Sequence, residues 1–398
     1  MAARRVRRAA VAWPVIAALA ITFPGAIAAQ STRVEAIAEE QAGKARKLGT
    51  EGPSQAEQVI RRVLRSPLLS GGDGFYPWFG SVYNGTGMAI GAGFLKRLEN
   101  AASFNLQTGI SLNSSMVIRG SFVAPELWRG MLQLDANAQW LDARGVSFYG
   151  FGQDSDRLNR QRFDFGPTEI TGNVTIKPVK FVAVTGTYSF LDVDTHRDRL
   201  RPSERGAPGL DAELNYHVTR ATAMFDWRPA TGYSTRGGFY RASFERNREA
   251  RDRPYSFNLQ EYEAVQQLPL VREQFVLAAR GLMTLTTTDR GDAVPIVLSP
   301  YLGSGSALRG YANRRFTDRN RVLLTGEYRW RPSRYLDMAL FIDAGQVAAH
   351  RRDFDFDGFD TAWGIGARFH GPSFTALRVE LARGREGIRL VFAGSQPF

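Results

Sequence analysis

Apolar and polar residues alternate one by one along most of the chain beyond residue 74. Residues 104–112 read Phe-Asn-Leu-Gln-Thr-Gly-Ile-Ser-Leu, and residues 132–140 read Leu-Gln-Leu-Asp-Ala-Asn-Ala-Gln-Trp. Successive side chains of a β-strand point to opposite faces, so each run predicts a strand with one apolar and one polar face. No segment after Phe75 shows a sustained helical period, and the pattern predicts an all-β fold.

The alternation is compatible with a soluble sandwich and with a membrane barrel, because both give each strand one apolar face. The connections favour the barrel. Tight turns at 177–180 and 331–334 alternate with long polar loops at 143–165, 193–213 and 289–318. Short periplasmic turns combined with longer extracellular loops are typical of outer-membrane barrels.

We therefore predict a single transmembrane antiparallel β-barrel of about sixteen strands over residues 74–398. Ile388 and Leu390 continue the outward apolar row near the end of the chain, which closes with Phe398. A terminal aromatic residue resembles the assembly signal with which the barrel assembly machinery inserts outer-membrane barrels. These features predict that the protein lies in the outer membrane of a Gram-negative type of cell. We expect outer-membrane lipids and lipopolysaccharide as its partners.

The N-terminus has the pattern of an export signal. Four arginines within residues 4–8 precede an apolar run at 9–29 that ends in small residues. This pattern predicts a cleaved signal peptide at residues 1–29. The run is also long enough to serve as an uncleaved membrane anchor, but Pro14 and Pro24 interrupt it.

Residues 30–73 are the part of the chain with a helical pattern. Ser54 and Glu57 have the spacing of a capping box, and the apolar residues that follow recur at helical spacing. This combination predicts a short helix over 55–65. The segment is too short for a separate domain with its own core, so we expect a periplasmic tail that leads into the barrel.

Composition narrows the possible chemistry. The 398 residues carry a formal net charge of +12 and contain no cysteine, so neither a disulfide framework nor a lipid-attachment cysteine is expected. The basic residues are scattered between strands, and we expect lipid phosphates, not nucleic acid, as their counter-ions. The four histidines, among them His196 in the loop 193–213, lack metal-ligand spacing. We expect no metal, no cofactor, no catalytic residue and no enzymatic activity, with a rim enzyme as the weakest alternative.

One Gly-rich loop carries an arginine into a predicted interior. The loop at 289–318 contains Leu308, Arg309, Gly310 and Tyr311 and is followed by two predicted strands. Glycine permits sharp turns and a close approach of the backbone to a wall. A guanidinium group inside a barrel must meet carboxylates or remain an unpaired charge at high cost. An inward-folded loop of this kind therefore predicts acidic partners on the barrel wall.

Those acids occur on the two strands that follow the loop. Glu327 and Asp343 fall on the same side of their strands, opposite the apolar row. Leu323 is an apolar exception on the side of Glu327. The pattern predicts an Arg309–Glu327–Asp343 cluster that pins the loop inside the barrel. The alternative is a solvated Arg309 and two acids that line a wet channel.

These residues resemble the BamA/TamA superfamily of outer-membrane proteins, also called the bacterial surface-antigen family. In that family a loop folded into the barrel carries a tip of the form [Val/Leu]-Arg-Gly-[Phe/Tyr], which residues 308–311 match. A later strand carries Phe-x-Asp-x-Gly, matched by Phe341, Asp343 and Gly345, and the strand between supplies Glu327. The resemblance implies that these residues hold the loop in the lumen.

The resemblance also concerns the first strand of the barrel. In this family the barrel closes between its first and last strands, and in the members that insert proteins this seam opens and pairs with an incoming strand. Pro77 has no N–H and is tolerated on a strand edge, which fits a poorly paired seam. The alternative is that Pro77 lies ahead of the strand and that the seam stays closed.

The resemblance implies a function in outer-membrane protein assembly or translocation, with a polypeptide as possible cargo. Members that fold or translocate proteins usually carry polypeptide-transport-associated (POTRA) domains ahead of the barrel, and residues 30–72 cannot hold one. The alternative is therefore a passive porin or a structural surface antigen without insertase activity.

Overall fold

The computed structural model describes residues 73–398, apart from 197–206, 211, 252, 272 and 372–374. The predicted signal peptide at 1–29 and the predicted helix at 55–65 lie outside the described residues. Helical structure within the described residues takes the form of short 3₁₀ turns such as Arg351–Asp353. None of the described helices is long and apolar enough to cross a bilayer. Strands and loops therefore position the functional side chains.

Sixteen strands form one antiparallel sheet, a nearly closed barrel in which each strand pairs with its neighbour in chain order. In chain order, all strands are β1 Gly74–Gly80, β2 Ala89–Arg97, β3 Ser103–Ser111, β4 Met116–Leu127, β5 Leu132–Phe148, β6 Gln161–Val179, β7 Val182–His196, β8 Leu214–Asp226, β9 Gly237–Glu249, β10 Phe257–Val271, β11 Phe275–Thr288, β12 Tyr301–Leu302, β13 Phe316–Thr317, β14 Asn320–Ser333, β15 Leu336–Ala348, β16 Asp360–His370, β17 Thr375–Gly384 and β18 Gly387–Ala393. The short strands β12 and β13 form a separate two-stranded sheet, and β11 pairs directly with β14. The predicted transmembrane barrel is thereby confirmed.

Two loops are shorter than the sequence predicts, and the one expected at 193–213 begins only after β7 ends at His196. The expected loop at 143–165 begins too early and ends too late, because β5 continues to Phe148 and β6 starts at Gln161. The ladder between these strands shifts register between Ala143 and Val146. A bulge adds a residue to one strand and so breaks the strict alternation. The period-two pattern is lost there, although the strands continue.

The two faces of the sheet differ in character. Large apolar side chains point outward on neighbouring strands, and Leu340, Ile342 and Trp363 are 49%, 55% and 58% exposed. Inward positions next to them, such as Ala339 and Phe341, are buried. An outward apolar row around an interior of different character is the arrangement of a barrel in lipid. The apolar face that the alternation predicts is therefore the lipid-facing one.

β1 and β18 stand at the two ends of the strand order, and no backbone ladder joins them among the residues that the structure describes. We call these two unpaired edges the seam. Pro77 lies inside β1, opposite Ala92 of β2, so it does not precede the strand. Since proline has no N–H to donate, it suits a strand with a free edge.

The loop 289–319, between β11 and β14, folds back against the inner wall of the barrel. Its residues Leu302, Leu308 and Phe316 are fully buried, and they form one cluster with Leu323 of β14. This contact explains the apolar exception on the inward face of β14, since Leu323 meets the loop and not water. The loop therefore occupies part of the barrel interior.

Replacement of Ile342 by lysine tests the assignment of the outward face. Ile342 lies in the middle of β15, so a charge there would meet hydrocarbon and should lower barrel stability by about 2–4 kcal/mol. Phe356, in the loop between β15 and β16, is 94% exposed, and Phe356→Lys should change stability by less than about 0.5 kcal/mol. Urea unfolding in lipid vesicles, followed by tryptophan fluorescence, measures both. Equal losses in the two variants would contradict a lipid-facing row.

Candidate functional site

The site is built around the tip of the loop 289–319. Gly303 has a φ of +93° and Leu308 a φ of +57°, so the chain turns sharply before Arg309. A leucine in the left-handed region costs about 1–2 kcal/mol, and the complete burial of Leu308 among apolar neighbours offsets this cost. The Tyr311 N–H donates to the Leu308 carbonyl at 3.2 Å. Leu308 thus anchors the turn that presents Arg309.

Arg309 makes a paired contact with Asp343 of β15. Its Nε and Nη2 atoms donate to the two carboxylate oxygens at 2.8 Å each, and its backbone N–H donates to the same carboxylate at 3.0 Å. Thr325 of β14 donates to Asp343 at 3.0 Å. Two parallel hydrogen bonds between arginine and a carboxylate form a strong and directional pair. Asp343 therefore fixes both the side chain and the backbone of the loop tip.

The remaining guanidinium nitrogen of Arg309, Nη1, reaches two further acids. It donates to Glu327 at 2.8 Å and to Glu380 of β17 at 3.1 Å. The guanidinium carbon lies 3.5 Å from the centroid of the Phe341 ring, which is a cation–π contact. The structure therefore brings Arg309 together with Glu327 and Asp343 and adds a third acid from β17.

Three more arginines surround these acids. Arg329 and Arg368 donate to Glu327 at 2.8 Å each, and Arg378 donates to Glu380 at 2.7 Å. We call the following seven residues the Arg309 cluster: Arg309, Arg329, Arg368, Arg378, Glu327, Asp343 and Glu380. Their side chains are at most 3% exposed. Four guanidinium groups face three carboxylates, so the cluster holds an excess of positive charge.

Tyr311, Gly310 and Gly345 seat the loop tip against the wall. The Tyr311 hydroxyl donates to Asp360 of β16 at 2.9 Å. Burial raises the pKa of Tyr311 to about 12, so the hydroxyl keeps its proton and remains a donor. A methyl group on Gly310 would lie 2.6 Å from the Gly384 nitrogen, and one on Gly345 would lie 2.7 Å from a leucine of the loop. Glycine is required at Gly310, where the neighbour is backbone, whereas at Gly345 the neighbour is the end of a side chain.

Sequence reasoning missed Glu380, Arg329, Arg368 and Arg378 as members of the site. Each is a buried charged residue on a strand whose outward row is apolar, and in β17 the neighbouring Leu381 is 49% exposed. The sequence signal for these four residues is an ionisable side chain at an inward position of a membrane barrel. That signal identifies candidates but not all pairs. Arg329 and Arg378 pair with acids two residues away on their own strands, whereas the partners of Glu380 and Glu327 also include Arg309 and Arg368 from other parts of the chain.

Phe398 departs from the outward row of the last strand. β18 ends at Ala393, and the Phe398 ring centroid lies 5.1 Å from the guanidinium carbon of Arg329 and 6.0 Å from that of Arg280. Pro397 cannot donate to a strand ladder, and the two cations attract the ring face. The outward strand pattern therefore does not continue to Phe398, and its role as an assembly signal stays a prediction.

The Arg309 cluster joins the loop 289–319 to the barrel wall. Each of its carboxylates accepts hydrogen bonds from more than one donor, for example Glu327 from Arg309, Arg329 and Arg368. None of the three is therefore free to act as a general base. Within the described ranges, no group of three or more acidic or histidine side chains is suited to hold a metal ion. What the arrangement does is hold the loop 289–319 in the interior.

Substitution of Arg309 tests how strongly the loop is held. Arg309→Ala leaves the buried Asp343 without its charged partner and should lower barrel stability by about 3–5 kcal/mol. Arg309→Lys keeps the charge but cannot form the paired contact with Asp343, so we expect an intermediate loss. The Arg352 side chain is 81% exposed, and Arg352→Ala should cost less than about 0.5 kcal/mol. Urea unfolding in vesicles compares the three. A loss for Arg309→Ala as small as that for Arg352→Ala would refute the pinned loop.

Two glycines of the same loop form a matched pair for testing how the tip is seated. The methyl group of Gly310→Ala would lie 2.6 Å from the Gly384 backbone, whereas that of Gly305→Ala would meet the end of the Val391 side chain at 3.2 Å. Overpacking against backbone costs about 1–3 kcal/mol. Limited proteolysis of the folded protein should therefore cut the loop faster in Gly310→Ala and at the wild-type rate in Gly305→Ala. Identical rates in both variants would speak against the close approach.

Comparison with known proteins identifies the fold. The Omp85 superfamily domain matches residues 132–387. Among solved structures, the chain is similar to BamA from Haemophilus ducreyi lacking POTRA domains 1–3, with a TM-score of 0.60 and 13% identity, over 81% of this chain and 70% of that chain. It is also similar to CdiB from Escherichia coli, with a TM-score of 0.56 and 12% identity, over 80% of this chain and 61% of that chain.

A further similar structure is CdiB from Acinetobacter baumannii, with a TM-score of 0.52 and 11% identity, over 80% of this chain and 58% of that chain. The chain thus spans about six tenths of the length of each CdiB chain. No curated protein matches the chain. At such low identities the structural likeness establishes the fold alone.

The family match rests on sequence and covers more than half of the chain. It includes the loop tip at 308–311 and the acids Glu327 and Asp343. The resemblance to the BamA/TamA superfamily that these motifs indicate is confirmed by this match. The protein therefore belongs to the Omp85 superfamily.

Proposed function

We propose that the protein assembles or translocates polypeptides in the outer membrane. Membership of the Omp85 superfamily and the barrel architecture support this class of function. In this setting the short turns are periplasmic and the long loops extracellular. The signal peptide at 1–29 would direct export, the barrel assembly machinery would insert the chain, and lipids and lipopolysaccharide would contact the outward apolar row.

The seam is the observation that carries this proposal. The ladder runs without interruption from β1 to β18, and pairing between these two strands is missing from the described structure. Natural proteins usually cover free strand edges, and in a membrane an unpaired backbone group costs several kcal/mol. An incoming β-strand would satisfy both edges by β-augmentation. The cargo we propose is therefore a polypeptide that forms β-strands.

The loop inside the barrel favours this function over that of a passive pore. A porin keeps a water-filled channel, whereas here the loop 289–319 is fastened to the inner wall through Arg309, which is 1% exposed. A cargo strand that pairs at the seam does not require an open interior. A passive porin, or a structural surface antigen without insertase activity, is the alternative that an experiment must distinguish.

A disulfide across the seam should block function reversibly. The chain has no cysteine, so one cysteine in Gly74–Gly80 and one in Gly387–Ala393 can be screened in pairs for cross-linking. An oxidised pair should stop the assembly of cargo proteins because the edges can no longer separate, and reduction should restore it. Leu381→Cys with Leu390→Cys is the matched control, since these residues already face each other in the β17–β18 ladder. Full activity of a cross-linked seam would contradict lateral opening.

Deletion of the gene, followed by quantitative analysis of outer-membrane and secreted proteins, tests the function itself. Loss of particular proteins, restored by the wild-type chain, would support assembly or translocation. The purified protein should show little steady conductance in planar bilayers, because the loop fills part of its interior. An unchanged protein profile together with a large and stable conductance would establish the passive porin instead.

A further inference from the structure

The turn at 227–236, between β8 and β9, differs from the other connections at its end of the barrel. It is longer than, for example, the connection 334–335 between β14 and β15. Its residues Tyr233, Ser234 and Thr235 are 8%, 5% and 9% exposed. Turns at a strand end usually face solvent and remain exposed. This turn therefore folds onto the barrel instead of away from it.

Tyr233 makes the principal contacts of the turn. Its ring stacks on His370 with the centroids 3.7 Å apart and the planes inclined by 10°. Its hydroxyl donates to Asp337 at 2.9 Å and accepts from Arg331. Asp337 also contacts His370 at 3.2 Å and Arg331 at 3.4 Å. One tyrosine thus bridges the ends of β14, β15 and β16 at inward positions.

Further contacts show the course of the turn. Thr235 donates to Glu273, in the connection between β10 and β11, at 2.9 Å, and Arg236 lies 3.5 Å from the same carboxylate. Thr375 of β17 donates to the Gly232 carbonyl at 3.3 Å. The turn therefore runs from β8 and β9 past the β10–β11 connection to the ends of β14–β17, across part of the opening at the short-turn end.

The contacts of the turn lie next to the Arg309 cluster. Arg331 follows Arg329 by two residues on β14, and His370 follows Arg368 by two residues on β16. Two residues along a strand return to the same face after about 7 Å. The side chains that the 227–236 turn contacts therefore lie about one layer closer to the short-turn end than the Arg309 cluster. The turn covers the interior at that level.

We propose that the 227–236 turn is a latch that covers the short-turn end of the interior over β14–β17 and excludes solutes there, and that Tyr233 holds it shut. Its hold consists of one stacked ring, a few hydrogen bonds and the largely exposed ion pair of Arg236 with Glu273. A cavity of about 480 Å³ adjoins Tyr233 and His370. The turn can therefore swing without repacking the wall. Contacts this few open by local fluctuation without unfolding of the barrel. Because the proposed closure excludes solutes, this proposal does not depend on whether the protein moves polypeptides.

Thiol labelling measures this closure. Ala339 of β15 is completely buried at an inward position between Asp337 and Phe341, and the chain has no native cysteine. In detergent solution, Ala339→Cys should react slowly with a negatively charged, membrane-impermeant thiol reagent, whose charge suits the positive excess of the neighbouring Arg309 cluster. Adding Tyr233→Ala should raise the labelling rate by at least about tenfold, because the latch then stays open. Adding Tyr233→Phe, which keeps the stacked ring, should raise the rate less.

Two controls identify the route of the reagent. Tyr188→Ala removes an outward tyrosine that is 53% exposed and contacts His217 of β8, outside the turn, and it should leave the labelling rate unchanged. Arg309→Ala loosens the loop 289–319, which enters the interior from the long-loop end. If Arg309→Ala speeds labelling and Tyr233→Ala does not, the reagent arrives past the loop, and the latch is refuted.

Two further outcomes would overturn the proposal. One is rapid labelling of Ala339→Cys in the otherwise wild-type chain, since a closed end should exclude the reagent. The other is an equal rate with and without Tyr233→Ala in proteins that keep wild-type resistance to proteolysis. Should Tyr233→Ala fail to fold, His370→Ala removes the other half of the stacked pair and should produce the same rise in rate.

Discussion

A guanidinium group inside a barrel needs carboxylates around it, and much of this structure follows from that requirement. Removing an ion from water is costly, and only several well-aligned partners recover the cost. For Arg309 this means that Asp343 and Glu327 must share the inward face of neighbouring strands and that Glu380 must arrive from β17. The pairing of Arg309 with its three acids thus depends on the register of β14 and β15, on the turn at Leu308 and on the position of β17.

The barrel and two of the three carboxylates of the Arg309 cluster could be predicted because a strand has a period of two. Once a strand is placed, counting residues assigns each side chain to a face. Glu327 and Asp343 could therefore be assigned to the interior without coordinates. Leu323 looked like an error in the pattern, and its contact with the inward loop supplies the reason. An apolar residue on a polar face was in this case a sign of a buried partner.

The rest depended on contacts that the sequence does not encode locally. The bulge near Ala143 shifts the count by one residue, so the pattern loses the continuation of β5. Glu380 contacts Arg309 because the barrel brings the inward face of β17 close to the loop tip. The two residues are 71 positions apart in sequence, so no local pattern indicates this contact. The same holds for the 227–236 turn and for Phe398, whose partners are assembled only when the inward faces of distant strands converge.

The seam also has a consequence for the size of the barrel. A closed ladder fixes the number of strands and hence the circumference, whereas a sheet with two free edges can take up additional strands and widen. The loop tip is fastened to β14, β15 and β17, on the β18 side of the seam. On the β1 side the loop is tied through hydrogen bonds such as that from Arg314 to Tyr83, at 3.1 Å. If the circumference grows, the loop tip would stay with the C-terminal strands while the N-terminal wall moves away from it.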